Sequence, residues 1–322
     1  MHSQGLRKRV LVTGGCGFIG ANLCRHLLAL GAEVRVLDNL STGSLQALVP
    51  LKSAPNYSLL KFIQGDVRAM PMVSEAVSGV KVIVHLAAST GVIDSIQAPG
   101  DDFEVNARGT LNLLEAAVEQ GVEKFIFASS NAVLGRKEPP LNEHTVPQPL
   151  SPYGASKLAG EAYCSAFYAS YGLSTVSLRF ANVYGPGSGH KTSVVAKWIQ
   201  QLLAREPLTV YGDGQQTRDF IHVEDICRAI ILALEAPLGG EVFQIGTGKE
   251  TSVLELATLL QQILNCPAEI NFVPARRGEV RRSFCDISKA KVILGFEATR
   301  SLREGLEETC HWFKQNLLLC QG

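Results

Sequence analysis

A run of glycines near the start of the chain limits its fold more than any other feature. The segment Gly14-Gly-Cys-Gly-Phe-Ile-Gly20 joins a β-branched apolar run at 8–13 to a helical pattern at 21–30. Glycine at 14 and 17 lets the backbone turn tightly and approach a pyrophosphate, while the helix N-terminus offers unpaired N–H groups. The alternative is an ordinary strand-to-helix turn. The flanking strand and helix favour a dinucleotide site.

An acidic residue placed after the next strand supports the same interpretation. Asp38 closes the run 33–38, 18 residues after Gly20. A carboxylate at this place accepts hydrogen bonds from both ribose hydroxyls of adenosine and repels a 2′-phosphate. The pattern therefore predicts NAD rather than NADP. Asp66, after the third predicted strand, either caps a turn or accepts from the adenine amine.

The first half alternates β-branched runs with helical patterns, which predicts an α/β fold with a doubly wound parallel sheet. Because the strands are continuous apolar runs, we expect helices on both faces of the sheet. A second predicted helix, 103–120, has apolar residues on one face and ends before Gly121. The predicted strands are 8–13, 33–38, 60–65, 80–86, 124–129 and 175–180.

The composition changes after Asn182, where glycine, proline and serine are frequent between Gly185 and Gly189. At 322 residues the chain is longer than the roughly 250 that one core usually serves, so we expect two lobes. The first is predicted over 1–180, with 220–246 returning to it as a helix and a strand. The second, over 181–322, is smaller and mostly helical, with helices near 194–204 and 252–264 and from Leu302.

Composition excludes several classes of protein. The chain is 46% apolar and carries 30 Lys and Arg against 30 Asp and Glu, so neither global disorder nor a basic field for nucleic acid is expected. Apolar runs stay short of the roughly 18 residues of a membrane helix, and residues 1–9 lack the apolar stretch of a signal peptide. The eight cysteines are scattered without Cys-x-x-Cys or His-x-x-x-His spacing. We therefore expect a cytoplasmic protein with reduced thiols and no metal.

A phenol and an ammonium stand four residues apart in Ser151-Pro-Tyr153-Gly-Ala-Ser-Lys157, hence on one face of a predicted helix. A free Tyr has a pKa near ~10, but the Lys157 charge and a nearby nicotinamide cation both favour the phenolate. Tyr153 would then take a hydroxyl proton while hydride leaves the same carbon. Ser130, at the end of a strand, would hydrogen-bond the same hydroxyl. The alternative, a surface helix pair, is disfavoured by the cofactor motif upstream.

These motifs together resemble the extended short-chain dehydrogenase/reductases, and most closely their NAD-dependent nucleotide-sugar epimerases of the UDP-glucose and UDP-N-acetylglucosamine 4-epimerase type. The resemblance covers nearly the whole chain and implies a Rossmann fold for the first lobe. Its motifs are the glycine segment, Asp38, His85-Leu-Ala-Ala88, Asn106, Ser129-Ser130, Tyr153 with Lys157, Arg179-Phe-Ala-Asn-Val-Tyr-Gly-Pro186 and Arg218-Asp-Phe-Ile-His-Val-Glu-Asp225.

The resemblance implies roles for individual residues. Ser130, Tyr153 and Lys157 would form the catalytic triad. Tyr153 and Lys157 would also contact NAD. The other residues that would bind NAD are Gly14, Gly17, Phe18, Ile19, Gly20, Asp38, Asn39, Asp66, Val67, Leu86, Ala87 and Ala88. The nucleotide sugar would be bound by Ser89, Thr90, Ser130, Asn182, Arg218, Arg276 and Ser283. The two arginines suit bidentate contacts with a diphosphate.

Two departures from related enzymes narrow the expected chemistry. Nucleotide-sugar 4,6-dehydratases carry an Asp-Glu pair directly after the catalytic hydroxyl residue, whereas this chain has Asn131 and Ala132. Without that acid and base, elimination of water is poorly supported. Leu134 stands where relatives usually have Tyr, which we expect to alter packing on the cofactor side.

Substrate choice is suggested by Ser283. This residue is small where a Tyr would restrict the pocket, which suggests that an N-acetyl group is tolerated; the alternative is a turn residue without contact.

The predicted function is NAD-dependent 4-epimerisation of a UDP-hexose, with or without an N-acetyl group, through a transient 4-keto sugar. Alternatives on the same scaffold are 5,6-dehydration, uronate 4-epimerisation and 4-keto reduction. A non-catalytic NAD-binding regulator is a further alternative, disfavoured because Ser130, Tyr153 and Lys157 are all present. The resemblance also implies a homodimer, in which the helices at 103–120 and 153–171 form a four-helix bundle with their copies.

Overall fold

The computed structural model describes residues 8–275 and 280–319. Its largest sheet has seven strands in the order β3-β2-β1-β4-β5-β6-β11, and the first six of these pair in parallel. The predicted α/β fold with a doubly wound parallel sheet is confirmed. The strands are β1 (Arg9–Thr13), β2 (Glu33–Asp38), β3 (Leu60–Gln64), β4 (Val82–His85), β5 (Lys124–Ser130), β6 (Ser174–Phe180), β7 (Asn182–Tyr184), β8 (Leu208–Tyr211), β9 (Thr217–Arg218), β10 (Phe220–His222), β11 (Glu241–Ile245), β12 (Thr251–Ser252) and β13 (Ile270–Val273).

The helices follow the strands of the sheet in the alternating order that the sequence predicts. They are α1 (Phe18–Ala29), α2 (Met70–Val77), α3 (Val92–Gln97), α4 (Pro99–Phe103), α5 (Gly109–Glu119), α6 (Pro152–Tyr171), α7 (Val194–Leu203), α8 (Val223–Glu235), α9 (Val253–Leu264) and α10 (Leu302–Leu319). In α6, Pro152 occupies the first turn, where its missing N–H costs nothing, and the Ser151 hydroxyl accepts from Gly154 N. Gly172, in the left-handed region, ends the same helix.

The helix predicted over 103–120 differs from the expectation in its first half. A single wide turn of π-helix, Glu104–Arg108, lies between α4 and α5, and the backbone stays helical through both junctions. Such turns are rare, and many lie at functional sites. This turn holds Asn106, which is buried.

The described residues fall into two compact units. The first contains the residues up to Gly135 together with Glu143–Phe180 and Cys227–Phe243. Its core is built from the sheet and the helices that cover it, and includes Leu11, Ile83, Leu113, Phe125 and Phe127. Within this unit β1 lies between β2 and β4, so the loops that follow β1 and β4 leave the sheet where its strand order reverses.

The second unit contains Arg136–Asn142, Ala181–Ile226 and the chain from Gln244 onward. Its core packs α7, α9 and α10 against short strands, with Trp198, Leu256 and Phe313 buried. Arg136–Asn142 lies inside the range predicted for the first lobe, but Leu141 N donates to Phe284 O at 2.9 Å and Asp286 N donates to Leu141 O at 2.8 Å. The return to the first unit begins at Cys227, later than the expected 220. Which lobe binds cofactor and which binds substrate stays a prediction.

Across residues 8–275 and 280–319, the structure contains no helix long and apolar enough to cross a membrane.

Candidate active site

The glycine loop approaches the chain that follows β4. Gly14 has a φ of +70°, and a Cβ there would lie 2.8 Å from the backbone nitrogen of Ala87. Gly14 N also donates to Leu37 O at 2.9 Å, which ties the loop to β2. Only glycine fits both the left-handed backbone and the close approach.

The N-terminus of α1 has the features of an anion site. The helix begins at Phe18. Its N-cap residue Gly17 has no side chain, so no side chain caps the first N–H groups, and the first turn contains no acidic residue. Among the described residues other than its chain neighbours, a Cβ at Gly17 would meet one atom within 4 Å, Gly14 O at 3.2 Å. Phe18 is buried and Ile19 is half-buried. The free N–H groups and open loop suit the diphosphate of a dinucleotide.

Asp38 lies at the carboxyl end of β2 and is 7% exposed. Its Oδ2 accepts from Cys16 N at 2.9 Å, and its Oδ1 accepts from Leu40 N at 2.8 Å. A carboxylate has about four acceptor sites, so two backbone donors leave capacity for ribose hydroxyls. The glycine loop and Asp38 are thus linked directly, and together they fit the adenosine diphosphate part of NAD.

The close contact at Gly14 leads to a prediction. Gly14→Ala adds a Cβ against Ala87 as well as left-handed strain, so we expect unfolding to become easier by about 2–3 kcal/mol and NAD binding to weaken at least about tenfold. Gly31→Ala is the matched control, because Gly31 has a φ of +78° but open space at its Cβ. It should cost about 1 kcal/mol and leave NAD affinity unchanged. Thermal unfolding and NAD titration measure both; equal effects of the two variants would contradict the close-contact argument.

Asp66 is engaged by its neighbours. Its Oδ1 accepts from Arg68 N and Nε, both at 2.9 Å, and its Oδ2 accepts from Arg68 Nη2 and Asn39 Nδ2, both at 2.8 Å. The hydrogen bonds from Arg68 hold the pKa of Asp66 far below its usual range. Two roles were expected for Asp66. Its hydrogen bond from Arg68 N corresponds to the turn cap, and the contact with the adenine amine stays a prediction. Val67 is buried, and its carbonyl accepts from Asn112 Nδ2 at 3.0 Å.

The segment after β4 is fixed by Asn106. The side chain of Asn106 accepts from Ser89 N and donates to Ser89 O, both at 2.9 Å. Leu86, Ala87 and Ala88, which precede Ser89, are half-buried, and Thr90 is exposed. Asn106 therefore fixes Ser89 through the backbone N–H and C=O groups of Ser89, and the Ser89 hydroxyl takes no part in these two hydrogen bonds.

A buried histidine on β4 connects β1 to the first turn of α5. His85 Nδ1 lies 2.7 Å from Thr13 Oγ1, and Nε2 lies 3.0 Å from Thr110 Oγ1. Because the Thr110 hydroxyl donates to Asn106 O at 2.6 Å, Nε2 carries the proton and donates to Thr110, and Nδ1 accepts from Thr13. Burial, with a smaller effect of the Lys157 charge, lowers the pKa of His85 to about 3. The ring is therefore neutral and orients its neighbours without serving as a base.

The three residues predicted to be catalytic come together at the carboxyl end of β5. Ser130 ends β5, and its hydroxyl hydrogen-bonds the Tyr153 phenol. It also accepts from Ala132 N at 3.2 Å. Lys157, one turn after Tyr153 on α6, is 3% exposed and donates from Nζ to Ala128 O at 2.9 Å. Their roles stay predictions; the structure shows a hydrogen bond between the Tyr153 phenol and the Ser130 hydroxyl, and a buried Lys157.

Burial shifts the pKa values of two of the three residues predicted to be catalytic. Burial raises the pKa of Tyr153, although its hydrogen bond to Ser130 lowers it. Burial also lowers the pKa of Lys157 to about 8. The sequence analysis expected the Lys157 charge and a nearby nicotinamide cation to favour the phenolate, and this stays a prediction.

A buried ion pair fixes α6 on the sheet, and the sequence analysis did not assign it. Glu161 accepts from Arg179 Nε at 2.8 Å and Nη2 at 2.7 Å, and from the Ser129 hydroxyl at 2.5 Å. Both charged side chains are 5% exposed. Tyr153, Lys157 and Glu161 follow one another at intervals of four residues. This spacing could have predicted that Glu161 lies on the same face of α6 as the other two.

The residues expected to bind substrate lie partly in the second unit. Asn182 begins β7, paired with Phe220 of β10, and its N–H donates to Asp219 O at 2.9 Å. Arg218 Nη1 donates to Thr217 O at 2.7 Å and to Val280 O at 2.8 Å. Ser283 is half-buried. Arg276 lies outside the described residues, and Leu134, the other departure noted above, is fully buried in the first unit.

Comparison with known proteins gives a consistent result. The profile of the NAD dependent epimerase/dehydratase family matches residues 10–246. The chain is 37% identical to the UDP-glucose 4-epimerase of Mycolicibacterium smegmatis, covering 95% of this chain and 98% of that one. It is 36% identical to the dTDP-glucose 4,6-dehydratase of Streptomyces niveus, covering 96% and 93%. The crystal structure of UDP-glucose 4-epimerase from Thermotoga maritima, with UDP-glucose, superposes with a TM-score of 0.90 at 38% identity, covering 96% and 99%.

Proposed function

The chain belongs to the NAD dependent epimerase/dehydratase family, and we propose that within it the protein is a UDP-hexose 4-epimerase. The family resemblance and the NAD cofactor predicted from the sequence are thereby confirmed. Relatives of similar identity include both epimerases and dehydratases, so the choice between these reactions depends on this chain's own residues.

The observation that carries the proposal is the set of groups beside Ser130. The short 3-10 helix Asn131–Val133 follows Ser130 directly. The first two residues after the hydroxyl are therefore Asn131, which carries an amide, and Ala132, which carries a methyl group. The elimination of water in 4,6-dehydration needs an acid and a base besides the group at C4. Neither Asn131 nor Ala132 supplies one. Reversible oxidation at C4 needs, besides NAD as hydride acceptor, only the Tyr153, Ser130 and Lys157 groups.

NAD, when bound, supplies the acceptor and then the donor of the hydride at C4 of the sugar. Tyr153 takes the proton of the 4-hydroxyl as a phenolate and returns it after the 4-keto sugar has turned over. Ser130 holds the same hydroxyl by a hydrogen bond, which fixes the distance to the phenol. Lys157 stabilises the phenolate by its charge. Asp38 binds the adenosine ribose, and the N-terminus of α1 binds the diphosphate of the cofactor.

The substrate residues of the second unit belong to the same proposal. Arg218 and Arg276 neutralise the diphosphate of the nucleotide sugar, with Asn182 as a further donor. Ser89, Thr90 and Ser283 contact the sugar, and the small Ser283 leaves space for an N-acetyl group. Uronate 4-epimerisation and 5,6-dehydration would begin with the same oxidation at C4, whereas 4-keto reduction would start from a 4-keto sugar and a reduced cofactor. The products distinguish these alternatives.

The experiment is a product analysis without added NAD. Purified protein is incubated with UDP-glucose, UDP-N-acetylglucosamine, UDP-glucuronate and dTDP-glucose, and the anomeric signals are read by proton NMR. We expect the C4 epimer of at least one UDP-hexose, and about one NAD per chain released on denaturation. Accumulation of a 4-keto-6-deoxy sugar or an alkene, without any C4 epimer, refutes the proposal. Turnover of no substrate by NAD-loaded protein favours the regulator.

We also propose a homodimer that pairs the helices at 103–120 and 153–171 with those of a second copy. Phe103 and Tyr163 are apolar or aromatic side chains that are 51% and 41% exposed on α4 and α6, and these two helices pack on each other. Phe103→Asp with Tyr163→Asp should turn a dimer into a monomer in light scattering, because two carboxylates would be desolvated at the interface. Val146→Asp, at a residue 72% exposed outside these helices, is the control. A wild-type monomer, or a dimeric double variant, contradicts this proposal.

A further inference from the structure

A buried carboxylate in the second unit lies next to residues that the proposed function assigns to the substrate. Asp219 is 1% exposed and joins β9 to β10. Because β9 pairs with β12 and β10 pairs with β7, the chain changes its strand partner at Asp219. Burial of an ionised carboxylate is costly unless hydrogen bonds compensate it. The donors around Asp219 therefore indicate which parts of the chain this charge holds.

Each oxygen of Asp219 accepts two hydrogen bonds. Oδ1 accepts from Thr247 N at 2.9 Å and from the Thr247 hydroxyl at 2.6 Å. Oδ2 accepts from Gly248 N at 3.0 Å and from Cys285 N at 3.3 Å. With its roughly four acceptor sites filled by the described chain, the carboxylate is unsuited to binding a ligand directly. Any effect of Asp219 on binding must therefore act through the segments that it holds.

These segments pack closely around the carboxylate. A Cβ at Gly246 would lie 2.5 Å from Asp219 Oδ2 and 3.0 Å from Cys285 Sγ, so a larger residue would push the two segments apart. Cys285 is 1% exposed, and its Sγ lies 3.7 Å from Gln244 Oε1. Residues 246–248 and Cys285, far apart in sequence, thus meet at one charged group.

The chain from Val280 to Cys285 is attached to this region at both ends. Arg218 Nη1 donates to Val280 O at 2.8 Å, and Cys285 N donates to Asp219 Oδ2. Ser283 lies between these two attachments and is half-buried. Its position relative to the Arg218 guanidinium therefore depends on the hydrogen bond between Cys285 and Asp219.

The backbone of Asp219 reaches a third residue of the proposed substrate site, because Asn182 N donates to Asp219 O at 2.9 Å. We propose that Asp219 is a positioning residue, whose carboxylate fixes residues 247–248 and Cys285 and thereby holds Arg218 and Ser283 where they bind diphosphate and sugar. This rests on the roles given to those two residues in the proposed function. Asp219 itself does not touch the nucleotide sugar.

A second carboxylate in the same unit provides a matched comparison. Asp225 is 2% exposed, and its Oδ1 accepts from the N–H and the hydroxyl of Thr299, both at 2.9 Å. Its Oδ2 accepts from Arg300 N at 3.2 Å. This arrangement repeats the one around Asp219, but neither Thr299 nor Arg300 is proposed to bind substrate. The two carboxylates therefore differ mainly in which residues they position.

The test compares Asp219→Asn with Asp225→Asn in the NAD-loaded protein. Each change removes one charge and replaces one acceptor oxygen by an NH₂ group, so both should lower the thermal unfolding midpoint. Asp219→Asn should also weaken UDP binding in calorimetric titration by at least about tenfold, whereas Asp225→Asn should bind UDP as wild type does. For a UDP-hexose that is converted, we expect KM to rise similarly in Asp219→Asn while kcat stays within about threefold of wild type. Equal UDP affinities in the two variants overturn the proposal, because a purely structural role predicts that result.

A milder pair of variants gives the answer if Asp219→Asn does not fold. Thr247→Val removes the hydroxyl that donates to Asp219 and keeps the charge, and Thr299→Val does the same at Asp225. We expect UDP affinity to fall about threefold in Thr247→Val and to stay unchanged in Thr299→Val. An unchanged affinity in Thr247→Val, with its unfolding midpoint lowered as in Thr299→Val, refutes the positioning role.

The titration distinguishes this inference from the proposed reaction. UDP is not converted, so its affinity reports on the substrate site whichever reaction that site performs, and dTDP is titrated in parallel. Weaker binding of either nucleotide, confined to the Asp219 and Thr247 variants, supports the positioning role even if the product analysis finds no C4 epimer. A wild-type protein that binds neither UDP nor dTDP overturns it.

Discussion

Tyr153→Phe is expected to lower kcat by about 10³-fold while NAD stays bound, because general acid–base groups contribute roughly 10²–10⁴-fold to such reactions. The phenol is hydrogen-bonded to Ser130 and is able to exchange a proton with a substrate hydroxyl. Its removal costs one hydroxyl and leaves the glycine loop and Asp38 untouched. Retained NAD, measured after denaturation, together with single-turnover kinetics would separate lost chemistry from lost binding.

The control for this variant lies on the same helix. Tyr171→Phe removes a hydroxyl from a ring that is 62% exposed and packs on Phe167 with centroids 4.9 Å apart. It should retain wild-type turnover. A Tyr153→Phe protein with turnover within about threefold of wild type would remove Tyr153 from its role, since threefold corresponds to less than ~1 kcal/mol.

The second large effect concerns stability. Glu161→Gln leaves the Arg179 guanidinium buried without its counter-charge, and breaking a buried ion pair costs about 3–5 kcal/mol. Nη1 of Arg179 already has no partner within the described part of the chain, so Glu161 is its main compensation. Urea unfolding of the NAD-free protein measures the loss in the free energy of unfolding.

A double variant separates the pair from simple packing. Glu161→Gln with Arg179→Met removes both charges, and we expect it to recover most of the stability lost in the single variant. A single variant that costs less than about 1 kcal/mol, or a double variant no better than the single one, would show that the ion pair is unimportant. Because α6 also carries Tyr153 and Lys157, the single variant should lose activity before it unfolds.

Local patterns in the sequence were sufficient for much of the sheet. The β-branched runs predicted the first six strands within two residues at each end. The signal is clearest where the strand is buried on both faces and largely apolar, as in β1 and β4. The glycine loop and the Tyr153–Lys157 spacing also depend on residues close in sequence. Their mutual placement was expected from the family resemblance alone.

Other features depend on contacts between distant residues and could not be predicted in this way. Leu141 pairs with Cys285, which moves Arg136–Asn142 into the second unit. The burial of Asp102 depends on how α4 and α6 pack, and the raised pKa of the Tyr153 phenol depends on its desolvation in the folded chain. A pattern of residue types indicates which groups meet but gives no measure of how much water they lose.

The wide turn at Glu104–Arg108 has a consequence for how this stretch can evolve. Asp102, Asn106 and Thr110 follow one another at intervals of four, and the wide turn brings them closer to one line than 3.6 residues per turn would. Deleting any residue between them would rotate one end of the helix by about 100° relative to the other. Either Asp102 or Thr110 would then point away from Asn106, to which both are hydrogen-bonded. Insertions and deletions should therefore be absent here in descendants that keep the activity, even where individual side chains vary.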